Sequence, residues 1–341
     1  MPICQQSSIA LLRKDGKLDL KSILSREQYS LPSAKKQAMS HIYIYSPSSA
    51  VRDKVAFRRG VKRLRALGHE VEIDPDALSS YQRFAGDDAT RMAAIARAAA
   101  SGAHVAMISR GGYGLTRILA DLPYAALAKA IESGTQFVGL SDFTALQLGL
   151  MAKTGAITWQ GPCIGEDFGT EDEPDEIMQA CFDDLLLAQG EGVGWRLPRG
   201  QAAQKDHEIL GAKLWGGNLS VLASLLGTPY MPKVRGGVLF LEDVGEHPYR
   251  LERMLTQLLH SGVFAQQKAL VLGQFTNYKL VPHDKGFKLD TVAQWLRTQV
   301  SIPIVMGLPL GHVPTKVLLP VGAKVDLVLQ GQEALMAWGH L

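Results

Sequence analysis

The 341-residue sequence has few of the residue patterns that hold metal ions, disulfide frameworks or membrane spans. Its three cysteines, Cys4, Cys163 and Cys181, lie far apart and provide neither a metal-ligand spacing nor a disulfide framework. Their odd number is consistent with a reducing compartment. The nine histidines are scattered without an HExxH or His-x-His cluster, so we expect neither a metal nor a cofactor. No apolar run approaches the roughly 20 residues of a membrane helix.

Neither positive nor negative charge is in large excess. The formal net charge is only +3, which does not suggest nucleic acid or an anionic membrane surface as a partner. The chain is 46% hydrophobic and 20% charged, as is typical of globular proteins. Its length is large for one hydrophobic core, so we expect two domains.

Strands and helices alternate through the first part of the chain. We predict strands at His41–Tyr45, Glu70–Ile73 and Val105–Ile108 and a fourth that ends at Leu140, with helices between them. This alternation indicates βαβ units and an α/β fold with a mostly parallel, doubly wound sheet. Ligands of such sheets bind beyond the carboxyl ends of the strands. The loops after the first, third and fourth strands are therefore expected to form the site.

The second part of the chain has a different pattern and indicates a smaller α/β domain with its own sheet. A Gly- and charge-rich stretch precedes it and resembles an interdomain linker. We predict a turn at Trp215–Gly217 and a helix from about Asn218. The predicted division is a flexible N-terminal extension at 1–39, a first domain at 40–188, a linker at 189–206 and a C-terminal domain at 207–341.

Ser141 lies at a predicted corner between the strand that ends at Leu140 and a helix from about Phe143. An acyl-transfer enzyme needs that geometry for a serine nucleophile, because the backbone N–H groups at the helix start can receive an oxyanion. The alternative is that Ser141 and Asp142 only cap the helix. On this segment alone, capping is the commoner role.

The glycine loop Arg110–Gly114 directly follows a predicted strand. Its glycines would allow backbone N–H groups to approach a ligand. A phosphate cradle has little support, because G-x-G-x-x-G and a Walker lysine are absent. An oxyanion-hole loop and a tight structural turn both remain open.

An acidic cluster and a histidine complete the candidate chemistry. Glu242 and Asp243 end an apolar strand, where a carboxylate can orient a base or simply solvate the strand end. His312 follows a Gly- and Pro-rich loop and is a candidate general base or a surface residue. The order Ser, Glu, His matches serine hydrolases whose base comes last, with the site in an interdomain cleft.

These segments resemble those of the LD-carboxypeptidases of the murein tetrapeptide type. Leu140 departs from the family, which more often has an aromatic residue or histidine before the nucleophile, and residues 1–39 have no counterpart. The six matching segments occur in the family's order over about 41–330, and they are Ser109–Gly114, Gly139–Ala145, Leu214–Leu219, Gly227–Pro229, Leu241–Tyr249 and Gly311–His312.

The resemblance implies a serine peptidase with a Ser-His-Glu triad. Ser141 would be the nucleophile, His312 the general base and Glu242 the residue that orients it. The backbone N–H groups of Gly112 and Asp142 would form the oxyanion hole. The implied reaction removes the terminal D-Ala from the tetrapeptide L-Ala-D-Glu-meso-diaminopimelate-D-Ala.

The resemblance also implies the fold and the setting of the enzyme. It implies a flavodoxin-like or glutaminase-like first domain, a smaller swivelling-type second domain, a homodimer and a cytoplasmic recycling enzyme, with the periplasm as the alternative. A peptidyl-nucleotide immunity peptidase of the same fold and a non-catalytic muropeptide-binding module are the alternative functions. The candidates for contacting the peptide are Arg110, Tyr113, Trp215 and Asn218. Arg110 could instead hold the glycine loop through backbone carbonyls, and Trp215 could be a core residue.

Overall fold

The computed structural model describes residues 39–198 and 206–341, together with the short strands Ile3–Cys4, Arg13–Lys14 and Lys17–Leu18. The predicted N-terminal extension at 1–39 therefore lies almost entirely outside the described residues. The last two short strands pair antiparallel with each other. The other described strands form one six-stranded and one eight-stranded sheet.

The six-stranded sheet confirms the predicted doubly wound fold. Five of its strands are parallel, and the sixth pairs antiparallel at one edge. The strand order reverses between His41–Tyr45 and Val105–Ile108, which is the point where doubly wound sheets bind ligands. From edge to edge the strands are Leu319–Val321, Thr158–Gln160, Gln136–Gly139, Val105–Ile108, His41–Tyr45 and Glu70–Ile73.

Helices cover both faces of this sheet, as the apolar positions along each of them require. Asp53 caps the first helix by accepting bonds from the N–H groups of Val55 and Ala56. The α-helices are Lys54–Ala66, Asp88–Ala100, Leu115–Ile118, Tyr124–Glu132, Phe143–Thr154 and Glu176–Leu186, with a 3₁₀ turn at Leu119–Asp121 and a π-helical turn at Ile164–Phe168.

The eight-stranded sheet is mixed. The four neighbouring strands from His207–Asn218 to Ile304–Met306 are parallel to one another. The other four strands pair antiparallel with their neighbours. In order they are Ile3–Cys4, Gly192–Arg196, Glu333–Ala337, Lys324–Gln330, His207–Asn218, Gly237–Val244, Gln267–Thr276 and Ile304–Met306. The helices of this half are Leu219–Ser224, Pro248–His260 and Leu289–Gln299, with 3₁₀ turns at Phe264–Gln266 and Pro282–Asp284.

Two strands connect different segments of the chain. Gly192–Arg196, inside the segment predicted as a linker, pairs with Glu333–Ala337 in the larger sheet. In the other direction, Leu319–Val321 joins the edge of the first sheet. The division of the chain at 188 and 207 stays a prediction.

The predicted turn at Trp215–Gly217 is wrong, because the strand His207–Asn218 continues through it. Gly216 is there for close approach to the neighbouring strand, and Gly217 for close approach to the helix Phe143–Thr154. A Cβ on Gly216 would lie 1.9 Å from the carbonyl oxygen of Phe240, so only glycine fits. The following helix begins with Asn218 as its N-cap, as predicted.

Two further observations bear on the environment of the protein. Cys181 is disulfide-bonded, which the spacing of the cysteines did not indicate, and Cys163 is free and buried. Within the described parts of the chain, no helix has the length and apolar character that a membrane crossing needs.

Candidate active site

Ser141 occupies a strained turn between the strand Gln136–Gly139 and the helix Phe143–Thr154. Its φ angle is 68°, in the left-handed region that non-glycine residues rarely adopt. Such strain at a strand-to-helix corner is typical of a nucleophile elbow, which projects its side chain above the sheet edge. The glycine loop packs directly on this turn, since a Cβ on Gly111 would lie 2.6 Å from the Ser141 Cβ.

Asp142 does not cap the helix that follows it. Its side chain makes no capping bond and is almost completely buried. Its carboxylate accepts hydrogen bonds from the Ser48 hydroxyl and from the backbone N–H of Leu115, at 2.9 Å for the latter. Burial raises the pKa of Asp142, although these two bonds partly offset it. Asp142 thus ties the turn at Ser141 to the loops after two other strands.

The predicted oxyanion donors are Gly112 and Asp142. Gly112 has a φ of 111°, and a Cβ there would lie 2.3 Å from the Ser49 hydroxyl oxygen. That hydroxyl also accepts the backbone N–H of Tyr113 at 2.9 Å, which fixes the loop. Among the described residues, no hydrogen bond uses the backbone N–H of Gly112 or Asp142. Both groups are therefore available to a ligand, as an oxyanion hole requires.

The structure brings His312 and Glu242 together although 70 positions separate them. His312 Nδ1 lies 2.9 Å from Glu242 Oε2, and Glu242 is fully buried near the end of the strand Gly237–Val244. A carboxylate can only accept, so Nδ1 carries the proton and Nε2 is left as the acceptor. Gly311 permits this approach, because a Cβ there would lie 2.8 Å from the Gln274 carbonyl oxygen.

The surroundings of His312 change its basicity. Burial lowers the pKa of His312, but the hydrogen bond and the negative charge of Glu242 outweigh it. The charge of Glu166 acts in the same direction as Glu242, and the net result is a pKa above the usual 6.5. A raised pKa gives a stronger base and a more stable imidazolium.

No hydrogen bond joins Ser141 to His312 within the described residues. The structure therefore holds the imidazole–carboxylate pair but not a contact between Ser141 and His312. Catalytic hydrogen bonds are often long without substrate and tighten in the substrate complex.

A cleft of about 640 Å³ opens beside Ser141 and is bounded by both halves of the chain. Four of the other predicted site residues line it, namely Gly112, Tyr113, Asp142 and Asn218. Every charged side chain in its wall is a carboxylate. The wall consists of Gly112, Tyr113, Thr116, Leu119, Ser141, Asp142, Asn218, Ser220, Val221, Ser224, Leu225, Thr228, Tyr230, Asp243, Val244 and Glu246.

The structure does not support two of the predicted peptide contacts. Trp215 is only 1% exposed and donates its indole N–H to Gln267 at 2.8 Å, so it belongs to the core. Arg110 donates to the carbonyl oxygen of Ala50 at 3.3 Å, and its Nε lies 3.8 Å from a carboxylate oxygen of Glu166. This is the loop-holding role that the sequence left open, and a contact to the peptide stays a prediction.

Sequence reasoning missed a buried ion pair close to His312. Lys316 and Asp167 form an ion pair and are both almost completely buried. The charges of both Glu166 and Lys316 act on the pKa of His312, so they lie within electrostatic reach of it. No local pattern marks these residues, because the pair spans 149 positions. The described residues contain no cluster of three or more side chains suited to a metal ion.

Family comparisons agree with the geometry of the site. The family model for the LD-carboxypeptidase N-terminal domain matches residues 42–161, and that for the C-terminal domain matches residues 211–327. The chain belongs to the LD-carboxypeptidase family. The names of its relatives describe peptidase activity and the processing of murein peptides.

Three relatives illustrate this family. A solved muramoyltetrapeptide carboxypeptidase from Oxalobacter formigenes is 39% identical, covers 88% of this chain and 99% of its own, and has a TM-score of 0.78. A probable murein peptide carboxypeptidase of Bacillus subtilis is 28% identical over 81% of this chain and 85% of its own. The microcin C7 self-immunity protein MccF of Escherichia coli is 27% identical over 65% of this chain and 70% of its own. A structure of MccF in complex with glutamyl sulfamoyl guanosine, 22% identical over 89% of this chain and 97% of its own, has the same fold with a TM-score of 0.78.

Proposed function

We propose that this LD-carboxypeptidase hydrolyses the amide bond between meso-diaminopimelate and the terminal D-Ala of murein tetrapeptides. Ser141, His312 and Glu242 act as a serine peptidase triad. The observation that carries the proposal is the buried Glu242–His312 contact of 2.9 Å, in a structure that also holds Ser141 in a strained turn at a cleft. The similarity to murein peptide carboxypeptidases supports the substrate.

The proposed chemistry follows from the proton positions. His312 Nε2 takes the proton of the Ser141 hydroxyl as its oxygen attacks the amide carbonyl, and Glu242 stabilises the imidazolium. The backbone N–H groups of Gly112 and Asp142 receive the oxyanion, each worth about 3 kcal/mol. His312 then protonates the amine of D-Ala, which leaves. Water, deprotonated by His312, attacks the acyl-enzyme and releases the tripeptide carboxylate and Ser141.

Incubation of the purified protein with murein tetrapeptide tests this proposal directly. The expected products are the tripeptide and free D-Ala, detected by mass. A matched tetrapeptide with L-Ala at its end is the control, and it is expected to be cleaved far more slowly. Absence of D-Ala release at micromolar enzyme, with turnover of another peptide, would refute the proposed substrate.

The cleft presents a carboxylate that can bind a cationic group of the substrate. Asp243 and Glu246 line the cleft, and none of the lining side chains is a cation. The side chain of diaminopimelate ends in an ammonium and a carboxylate, and Glu246 can bind the ammonium. The side chain of Glu246 is partly exposed and forms an ion pair with Arg250 at 3.6 Å, so the ammonium would share or replace that partner.

Glu246→Gln is expected to raise KM for the diaminopimelate tetrapeptide about tenfold, with kcat nearly unchanged. Losing one ion pair to the substrate ammonium corresponds to about 1.4 kcal/mol of binding. Steady-state kinetics at low salt measure the effect. Glu208→Gln, which removes an exposed carboxylate outside the cleft, is the matched control. An unchanged KM would show that Glu246 does not contact the ammonium.

The activity is expected to rise with pH along an acid limb whose midpoint lies above 6.5. The base must be neutral, and Glu242 keeps His312 protonated to a higher pH than an isolated imidazole. The pH profile of kcat/KM reports this ionisation in the free enzyme. A limb with its midpoint below 6.5 would contradict the proposed pairing of His312 with Glu242.

A homodimer and a cytoplasmic location complete the proposal, and only the family resemblance supports them. The disulfide at Cys181 favours the periplasmic alternative, because disulfides persist mainly in oxidising compartments. Fractionation of the source cells, with the activity assayed in each fraction, decides between the two locations. Light scattering of the purified protein measures the oligomeric state.

A further inference from the structure

A buried threonine connects the nucleophile turn to the second half of the chain. Thr144 donates its backbone N–H to the carbonyl oxygen of Ser141 at 2.9 Å, so it lies one turn after the nucleophile. Its side chain is fully buried, and its hydroxyl oxygen accepts the backbone N–H of Asn218 at 3.0 Å. This bond joins the helix that carries Ser141 to a strand of the other sheet.

The partner of Thr144 lies beside the residue that holds the base. Asn218 ends the strand His207–Asn218 and stands directly opposite Glu242 in the parallel ladder. Gly217 brings the two elements into close contact, because a Cβ there would lie 2.4 Å from the hydroxyl oxygen of Thr144. A displacement of the strand end from the helix would therefore also displace Glu242.

Asn218 is held from its other side as well. Its side-chain amide donates to Asp243 Oδ1 at 3.0 Å. The other oxygen of Asp243 accepts the backbone N–H and the hydroxyl of Ser220, at 2.9 and 2.6 Å. Asn218 therefore cannot shift without breaking bonds to the residue next to Glu242. The connection from Ser141 to His312 runs through Thr144, Asn218 and Glu242.

We propose that Thr144 is a positioning residue that sets the placement of Ser141 relative to the His312–Glu242 pair. The inference rests on the proposed function in taking Ser141 and His312 as the reacting pair. Removing the acceptor would leave a buried backbone N–H of Asn218 without its partner, which favours a shift of the strand end. A misplacement of about 1 Å in an active site can cost about 100-fold in rate.

Thr144→Val removes the acceptor at nearly constant volume, and Thr144→Ser keeps it. We expect Val to lower kcat about 10- to 100-fold with KM within about twofold, because Thr144 does not line the cleft. Ser is expected to restore kcat to within about threefold. Thr154→Val is the matched control, since Thr154 is an exposed residue at the other end of the same helix. Equal kcat for the Val and Ser variants would overturn the proposal.

Amide hydrogen exchange at Asn218 tests the bond independently of any substrate. Exchange is expected to be about tenfold faster in Thr144→Val than in the wild type, and to return to the wild-type rate in Thr144→Ser. Unchanged exchange at Asn218 in the Val variant would overturn the positioning role. A wild-type protein that releases no D-Ala would instead refute the proposed function, while the exchange rates still decide the role of Thr144.

Discussion

Ser141→Ala is expected to lower kcat for D-Ala release from murein tetrapeptide by about 10⁴- to 10⁶-fold. Loss of a serine nucleophile has effects of this size, because the remaining site provides only binding and oxyanion stabilisation. KM is expected to change little, since the hydroxyl is one small part of the cleft wall. Single-turnover release of D-Ala, followed by mass, measures the effect.

The matched control is Ser133→Ala, an exposed serine that ends the helix Tyr124–Glu132. It is expected to leave kcat within about twofold. Alanine at position 141 retains the same unfavourable φ of 68°, so the melting temperature of the variant should remain close to that of the wild type. Equal release of D-Ala by Ser141→Ala and the wild type would refute the assignment of the nucleophile, whereas no release by either protein would leave the muropeptide-binding module in its place.

The turn at Ser141 was largely predictable because its signals are local. An apolar strand, a Ser-Asp corner and an apolar helix follow one another directly, and the order of the strands follows from their alternation with helices. The strain at Ser141 and the actual role of Asp142 were not predictable. Aspartate is a residue type that favours helix caps. The Asp142 carboxylate instead bonds to Ser48 and Leu115, in loops from distant parts of the chain.

The remainder of the site depends on contacts between distant residues. Glu242 and His312 could be selected only by their order and by the family resemblance, since 70 positions separate them. Thr144 gives no sequence signal at all, because its partner Asn218 lies 74 positions away. The strand Gly192–Arg196 was missed because its Gly-rich composition resembles a linker and its pairing partner lies near the end of the chain.

Trp215 shows the converse case, because the sequence left open whether it contacts the peptide or belongs to the core. A tryptophan beside two glycines suggests an exposed aromatic contact on a loop. The glycines instead let the neighbouring strand and the helix Phe143–Thr154 approach, and the buried indole satisfies its N–H at Gln267. Composition around a motif therefore predicted the location of the site better than it predicted which side chains face it.

Glu242→Gln is expected to lower kcat by about 10³- to 10⁴-fold while the protein still folds. The carboxylate holds His312 Nδ1 as the protonated nitrogen, and an amide can favour the other tautomer, which leaves Nε2 unable to accept the Ser141 proton. Glu208→Gln, outside the cleft, serves again as the control. Activity within about tenfold of the wild type would show that Glu242 does not orient the base.

The pH profile of this variant separates orientation from charge. Without the negative charge of Glu242, burial becomes the dominant effect on His312 and lowers its pKa. The acid limb of the residual kcat/KM is therefore expected to move to lower pH, in the direction opposite to the effect of Glu242 in the wild type. A limb that stays in place while kcat falls would mean that Glu242 acts on His312 through geometry alone, and that another carboxylate, for which Glu166 is the structural candidate, raises its pKa.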